Sequence, residues 1–260
     1  MSVFMITGAT GKLAPPIIDL LATRGDRILL TSRNKAKLDG LAERYGKVGE
    51  VETAEADALD PISINRAADT AVARFGRLDG LIHLVGGFAV GPLFRTEPAA
   101  YEELWRSNFL SAVIATHAVL PHLGEGGRLV YFATPLATEP LPAFSAYGAA
   151  KAALLTWMRS IAHEVKRKDV HANAVVMTIA DTEDVRAARP HLDFDHTISP
   201  ELVAPVVGFL TSEAADGLYG SCVPVLNKFE FSSALAGPPP GRGGPPGPGG
   251  PGGPPPGIVT

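Results

Sequence analysis

Short apolar runs without polar alternation recur along the chain: SVFMI from Ser2, RILLTS from Arg27, GLIHLV from Gly80, GRLVYFA from Gly127, ANAVVM from Ala172 and SCVPVL from Ser221. Between them lie longer segments whose apolar positions return at helical spacing. A strand that is apolar on both sides is buried on both faces, the condition of a parallel sheet covered by helices. Right-handed crossovers arrange such β-α units as a doubly wound sheet. A further run, VETAEA from Val51, carries Glu52 and Glu55, with Glu50 just before it. A central strand does not tolerate that polarity, so this run is placed at the sheet edge. The pattern predicts a single α/β domain with one parallel seven-stranded sheet and about six helices on its two faces. No period of 20 to 50 residues repeats, which disfavours a solenoid.

Composition changes this picture only at the end of the chain. Of 28 Gly and 23 Pro in 260 residues, 10 of each fall in the last 24 positions. That segment has almost no apolar side chains to offset the entropy of ordering, and its glycines keep no strict third-residue period. The expectation is a globular domain over 1–236 and a disordered Pro/Gly-rich tail over 237–260, with a collagen-like helix or an interaction arm as rival readings. Net charge is −4, from 23 basic and 27 acidic residues, with no basic cluster suited to a phosphate backbone. Nucleic acid is therefore excluded as a partner. The single cysteine, Cys222, forms no internal disulfide and lies in the last strand as a small packing residue. No secretory leader is seen, and the apolar stretch from Phe109 to Leu120 is broken by Ser111, Thr116 and His117. These features predict a cytoplasmic protein with no membrane segment.

Candidate chemistry begins where the first strand runs into Thr7-Gly8-Ala9-Thr10-Gly11-Lys12-Leu13-Ala14 and then a helix. A glycine turn in that context brings backbone N–H groups to a pyrophosphate, which makes Gly8, Thr10, Gly11, Lys12 and Leu13 cofactor candidates. A plain strand-to-helix turn is the alternative. A triphosphate loop does not fit, because the spacing before Lys12 is short and Leu13 replaces the hydroxyl that would hold magnesium. The second strand ends at Ser32-Arg33, where an NAD site would place an acid on the ribose diol. Ser32 leaves room for a 2′-phosphate and Arg33 can pair with it, so NADP(H) is favoured over NAD(H). A solvated Arg33 at a helix start is the other reading.

Tyr147 and Lys151 stand four residues apart in Ser145-Ala146-Tyr147-Gly148-Ala149-Ala150-Lys151, on one face of a predicted helix. A free phenol is a poor base at neutral pH, and a nearby ammonium that favours phenolate makes it a useful one. The same spacing also occurs on ordinary surface helices. Thr134, at the end of the fifth strand, offers a hydroxyl to a carbonyl oxygen facing Tyr147.

Together these residues resemble the short-chain dehydrogenases/reductases over nearly all of residues 1 to about 227. The resemblance implies a Rossmann fold and adds several positions. Asp57, followed by Ala58, stands where the family contacts the adenine amino group. Val85-Gly86-Gly87 ends the fourth strand where the family keeps an Asn-Asn-Ala-Gly element, and Asn108 falls at the asparagine that supports a proton relay. Thr182 stands where the family contacts the nicotinamide carboxamide. The implied catalytic set is Asn108, Thr134, Tyr147 and Lys151, and the implied activity is hydride transfer between a nicotinamide and a small carbonyl or alcohol. Homodimers or homotetramers are usual in the family. The broad apolar surface of the helix holding Tyr147, which includes Ala152, Ala153, Trp157 and Ile161, also calls for a cover beyond one sheet.

The chain departs from the family at Ala14 for a glycine, at His83 and Leu84 for two asparagines, and at Met177-Thr178 for Pro-Gly. Those departures motivate a second reading, a cofactor-binding sensor or partner-binding protein with little catalysis. The Gly86-Gly87-Phe88 and Gly220-Ser221 segments are also similar to dihydropteridine reductases. An apolar substrate pocket is expected from Phe88, Leu136, Phe144, Ile179 and the segment 181–199. His191, Asp193, Asp195 and His196 in that segment are read as part of a solvated lid, and no metal is expected.

Overall fold

Burial on both faces accounts for the strand sequences in the computed structural model, which describes residues 1–228. The strands are β1 (Val3–Thr7), β2 (Arg27–Ser32), β3 (Val51–Glu55), β4 (Gly80–His83), β5 (Arg128–Ala133), β6 (His171–Met177) and β7 (Cys222–Val225). All pairings are parallel, in the order β3-β2-β1-β4-β5-β6-β7. The acidic run is indeed an edge strand, and the other edge is β7. The tail over 237–260 and the domain boundary at 236 lie outside the described residues.

The helices are α1 (Ala14–Arg24), α2 (Lys35–Tyr45), α3 (Pro61–Phe75), α4 (Pro98–Trp105), α5 (Ser111–Val119), α6 (Ser145–Val165), α7 (Glu183–Ala188) and α8 (Pro200–Leu210). That is more than the expected six, because a π-helical stretch at Arg106–Leu110 splits one long rod into α4 and α5, and the lid holds the short α7. One core face packs α3, α5 and α6 on Met5, Leu29, Leu81, Leu129 and Tyr131, while the opposite face packs α1 and α8 on Ile6, Leu30, Ile82, Val130 and Val175. No helix among the described residues is long and apolar enough to cross a membrane.

Because every strand is parallel, all carboxyl ends lie along one edge of the sheet, and chain order reverses beside β1, whose neighbours are β2 and β4. A crevice outside that edge at such a reversal is where open α/β sheets hold ligands. Part of the apolar surface of α6 is covered from within the chain, where Phe109 meets Trp157 with ring centroids 6.1 Å apart. Ala149 is exposed, and Ala152, Ala153 and Ile161 are half-buried.

Candidate functional site

The glycine turn after β1 is closed by Gly11 N–H to Gly8 C=O at 3.0 Å and Ala14 N–H to Gly11 C=O at 3.2 Å. Gly8 has φ of +70°, and a Cβ there would stand 3.0 Å from the backbone of Leu84 and Val85, so only glycine lets the turn lie against the end of β4. Ala14, in place of the family glycine, is fully buried in the core that α1 shares with α8. Thr10 Oγ1 and Ser32 Oγ lie 2.8 Å apart and tie the turn to the end of β2, beside the exposed Arg33. Asp57 follows β3, its Oδ1 accepting from Leu59 N–H at 2.9 Å, and Ala58 beside it is buried. Leu13 precedes α1 and packs on the core. Lys12 turns away to Glu183 and Asp184 in the first turn of α7, at 3.7 and 4.0 Å. These ion pairs join the turn to the lid.

Asn108 sits within the π-helical stretch and is buried. There Ser111 N–H reaches back to Arg106 C=O instead of Ser107 C=O, the wide turn that often marks functional sites. Ser111 Oγ takes over the released carbonyl, donating to Ser107 C=O at 2.6 Å. Having donated its hydrogen, that hydroxyl accepts from His83 Nε2–H at 3.1 Å, and His83 Nδ1 accepts from Thr7 Oγ1–H at 2.8 Å. The bonds thus set the histidine tautomer. Burial first, and the Lys151 charge second, push the pKa of His83 down to about 3, so the ring is neutral. Nothing in the linear pattern marks Ser107 or Ser111 as parts of this support; the one clue is a histidine where the family has asparagine.

Asn108 Nδ2 donates to Gly87 C=O at 2.9 Å and Leu104 C=O at 3.0 Å, while its Oδ1 is buried without a partner. A Cβ on Gly86 would lie 2.7 Å from that Oδ1 and 3.4 Å from Lys151 Nζ; one on Gly87 would lie 3.0 Å from Ser107 Oγ. The Gly-Gly pair is therefore the space in which Asn108 and Lys151 meet the end of β4. Val85 is half-buried just before it.

Thr134 follows β5 and is buried, its Oγ1 accepting from Leu136 N–H at 3.5 Å. Tyr147 and Lys151 come from the first two turns of α6. Gly148 lets that helix approach the segment after β5, since a Cβ there would lie 3.0 Å from Leu136 C=O. Lys151 Nζ donates to Phe132 C=O at 2.8 Å and lies 5.9 Å from the centroid of the Tyr147 ring. Burial pushes the Lys151 pKa down to about 8, which leaves it charged at neutral pH. Burial also pushes the Tyr147 phenol upward. The sequence argument expects the ammonium to lower the phenol. In this structure desolvation wins, because the ammonium is spent on a carbonyl rather than on the phenol oxygen.

Phe88 packs edge to face on Tyr147, centroids 4.9 Å apart, and lies 6.1 Å from Phe144. The lid over these rings is pinned at both ends: Ile198 N–H donates to Ile179 C=O at 2.9 Å, and Asp181 N–H to Ile198 C=O at 2.7 Å. Thr182 caps α7, its Oγ1 accepting from Val185 N–H at 3.3 Å. Thr178 Oγ1, just past β6, is buried without a partner. In the same lid His196 Nε2 lies 3.7 Å from Asp193 Oδ2, and no group of three or more metal-ligating side chains converges among the described residues.

The chain is similar to known proteins. The model of the short chain dehydrogenase family matches residues 2–193. An Arabidopsis thaliana protein described as 11-beta-hydroxysteroid dehydrogenase 1A is 31% identical over 185 residues, 70% of this chain and 53% of that protein. The aligned region thus spans about half the length of that relative. An uncharacterized oxidoreductase from Methylorubrum extorquens is 26% identical over 85% of this chain and 94% of its own. Among solved structures, a short chain dehydrogenase from Burkholderia cenocepacia in complex with NADP superposes with a TM-score of 0.75 at 25% identity, covering 87% of this chain and 96% of that one.

Proposed function

Because this chain belongs to the short-chain dehydrogenase family, we propose that it is an NADP(H)-dependent oxidoreductase that interconverts a small carbonyl compound and its alcohol, with Tyr147 as the proton donor and acceptor. The observation that carries this reading is the convergence of Asn108, Thr134, Tyr147 and Lys151 at the carboxyl edge of the sheet, beside the reversal of strand order.

The residues present fit a nicotinamide dinucleotide. Gly8 and Gly11 keep the turn free of side chains, and the amides of Lys12 and Leu13 at the start of α1 would take the pyrophosphate. The paired hydroxyls of Thr10 and Ser32, with the exposed Arg33 next in the chain, would suit a 2′-phosphate, which supports NADP(H) over NAD(H). Asp57 and Ala58 would meet the adenine. Val85, Gly86, Gly87 and Thr182 would line the nicotinamide end, where Asn108 Oδ1 is an unpaired buried acceptor. The cofactor, when bound, supplies or takes the hydride.

The chain's own work is placement and proton transfer. Thr134 would orient and polarise the substrate oxygen. Tyr147, kept protonated by burial, is set to give its proton to that oxygen, which supports the carbonyl-reducing direction. Lys151, charged below about pH 8, would hold the nicotinamide ribose and approach the phenol for the reverse transfer. Phe88 and Phe144 exclude water from the substrate side. Homo-oligomerisation through α6 belongs to the same reading, supported by the exposed Ala149 and the half-buried Ala152, Ala153 and Ile161 on that helix.

A panel of carbonyls and alcohols with NADPH and NADH, run beside Tyr147→Phe, tests the proposal. Turnover preferring NADPH and falling by about 10²- to 10⁴-fold in the variant is expected. Full turnover by Tyr147→Phe overturns the mechanism. Tight NADPH binding with no turnover of any substrate favours a sensor instead.

A further inference from the structure

Among the described residues, three arginines are drawn away from solvent: Arg27, Arg128 and Arg189. Arg27 is paired with Glu50 and Arg128 with Asp216. Arg189 has no carboxylate partner among the described residues; its guanidinium lies over the face of Phe88, the guanidinium carbon 5.0 Å from the ring centroid. Four acids of the same segment are engaged elsewhere. Asp181 holds Arg186 through two bonds of 2.6 Å, Glu183 and Asp184 face Lys12, and Asp193 faces His196.

Removing a guanidinium from water without an anion is unfavourable, and burial accordingly holds the Arg189 pKa below its usual value. A phenyl face compensates part of the charge but accepts none of the N–H donors in the guanidinium plane. The position is also particular. Arg189 ends α7, with its N–H on Val185 C=O at 2.8 Å, and rests on the same Phe88 ring that packs against Tyr147.

We propose that Arg189 is the anchor for a carboxylate on the substrate, so that the site accepts a carbonyl or alcohol compound bearing a carboxylate, its apolar body lying on Phe88 and Phe144. This rests on the oxidoreductase reading and narrows its substrate class. The planar fork of the guanidinium matches a carboxylate through two parallel hydrogen bonds. A phosphate dianion calls for a second cation, and Arg186, three residues earlier, is neutralised by Asp181.

The test is calorimetric binding to the full chain, with and without NADPH, of benzoate, phenyl phosphate and the neutral analogue benzyl alcohol. Benzoate is expected to bind more tightly than benzyl alcohol, to weaken by at least about ten-fold in Arg189→Met, and to recover in part in Arg189→Lys. Tyr147→Phe should leave benzoate binding within about two-fold, since the phenol is not its anchor. Thermal unfolding of both Arg189 variants checks that the fold persists. Equal binding of benzoate and benzyl alcohol, or benzoate binding unchanged in Arg189→Met, overturns the proposal. Phenyl phosphate binding ten-fold tighter than benzoate through Arg189 overturns the carboxylate assignment. In the kinetic arm, a keto acid and its methyl ester are compared: the acid is preferred by wild type, and Arg189→Met erases the preference while sparing the ester. Arg189-dependent benzoate binding without any turnover would defeat the oxidoreductase reading and leave the anion site standing.

Discussion

Behind the end of β4, every polar group of the Thr7–His83–Ser111 chain has a partner, down to the carbonyl that the π turn releases at Ser107. Asn108 Oδ1, beside the end of β4, and Thr178 Oγ1, just past the end of β6, are buried with none. Both regions depart from the family pattern, at His83 in one and at Thr178 in the other, yet the departures differ in kind. His83 has been absorbed: its two ring nitrogens bridge β1 to the rod that carries Asn108. Thr178 has not been absorbed by the protein. Folded proteins leave few buried polar atoms unmatched, so a satisfied network reads as support and an unsatisfied atom beside a crevice reads as a place for a ligand.

The largest effect that would break this contrast is on the support side. His83→Leu keeps the approximate volume but strands the hydroxyls of Thr7 and Ser111, and should lower stability by about 2–4 kcal/mol in urea unfolding at pH 7.5. Loss of less than about 1 kcal/mol would mean that the chain is dispensable and that His83 is merely tolerated.

The same pair of proteins gives a pH test of intermediate size. His83 has a folded pKa near 3 against an unfolded value near 6.5, so between those values the unfolded chain binds more protons than the native one. Its neutral form therefore supports the fold fully above about pH 6.5, and that support falls with acidification by up to about 1.4 kcal/mol per pH unit. Wild type should lose this increment and His83→Leu should not. The gap between them is expected to narrow by about 2 kcal/mol on going from pH 6.5 to pH 5. A constant gap would show that His83 takes up a proton in the native state as readily as in the unfolded one.

What could be read from sequence follows the same division. All seven strands and the edge position of β3 were legible because burial on two faces imposes an uninterrupted apolar code, and Glu52 and Glu55 break it at the edge. Gly8, Tyr147 and Lys151 were legible because a turn or a helix fixes their relation locally. The π turn at Arg106–Leu110 was not, since it depends on which carbonyl Ser111 N–H selects, and the Ser111 hydroxyl is held by His83 from another strand. The ion pairs of the Lys12 ammonium with Glu183 and Asp184 were not legible either, since those partners lie far along the chain. Arg189 carries no local sign at all. Its character lies in the acids it does not meet, which only the folded lid reveals.

The smallest effect sharpens the crevice side. Thr178→Val replaces a hydroxyl by a methyl of similar size, and where the hydroxyl is unpaired there is no hydrogen bond to lose. Stability should be unchanged or higher by up to about 1 kcal/mol, the opposite sign to His83→Leu. If the hydroxyl is there to meet a ligand, the same variant should bind NADPH about three- to ten-fold more weakly, measured by fluorescence titration. A variant that loses more than about 1 kcal/mol of stability would show that Thr178 is paired in solution and belongs with His83. One that keeps both its stability and its NADPH affinity would leave the hydroxyl without a role on either side, and the reading of unmatched polar atoms as ligand positions would then rest on Asn108 alone.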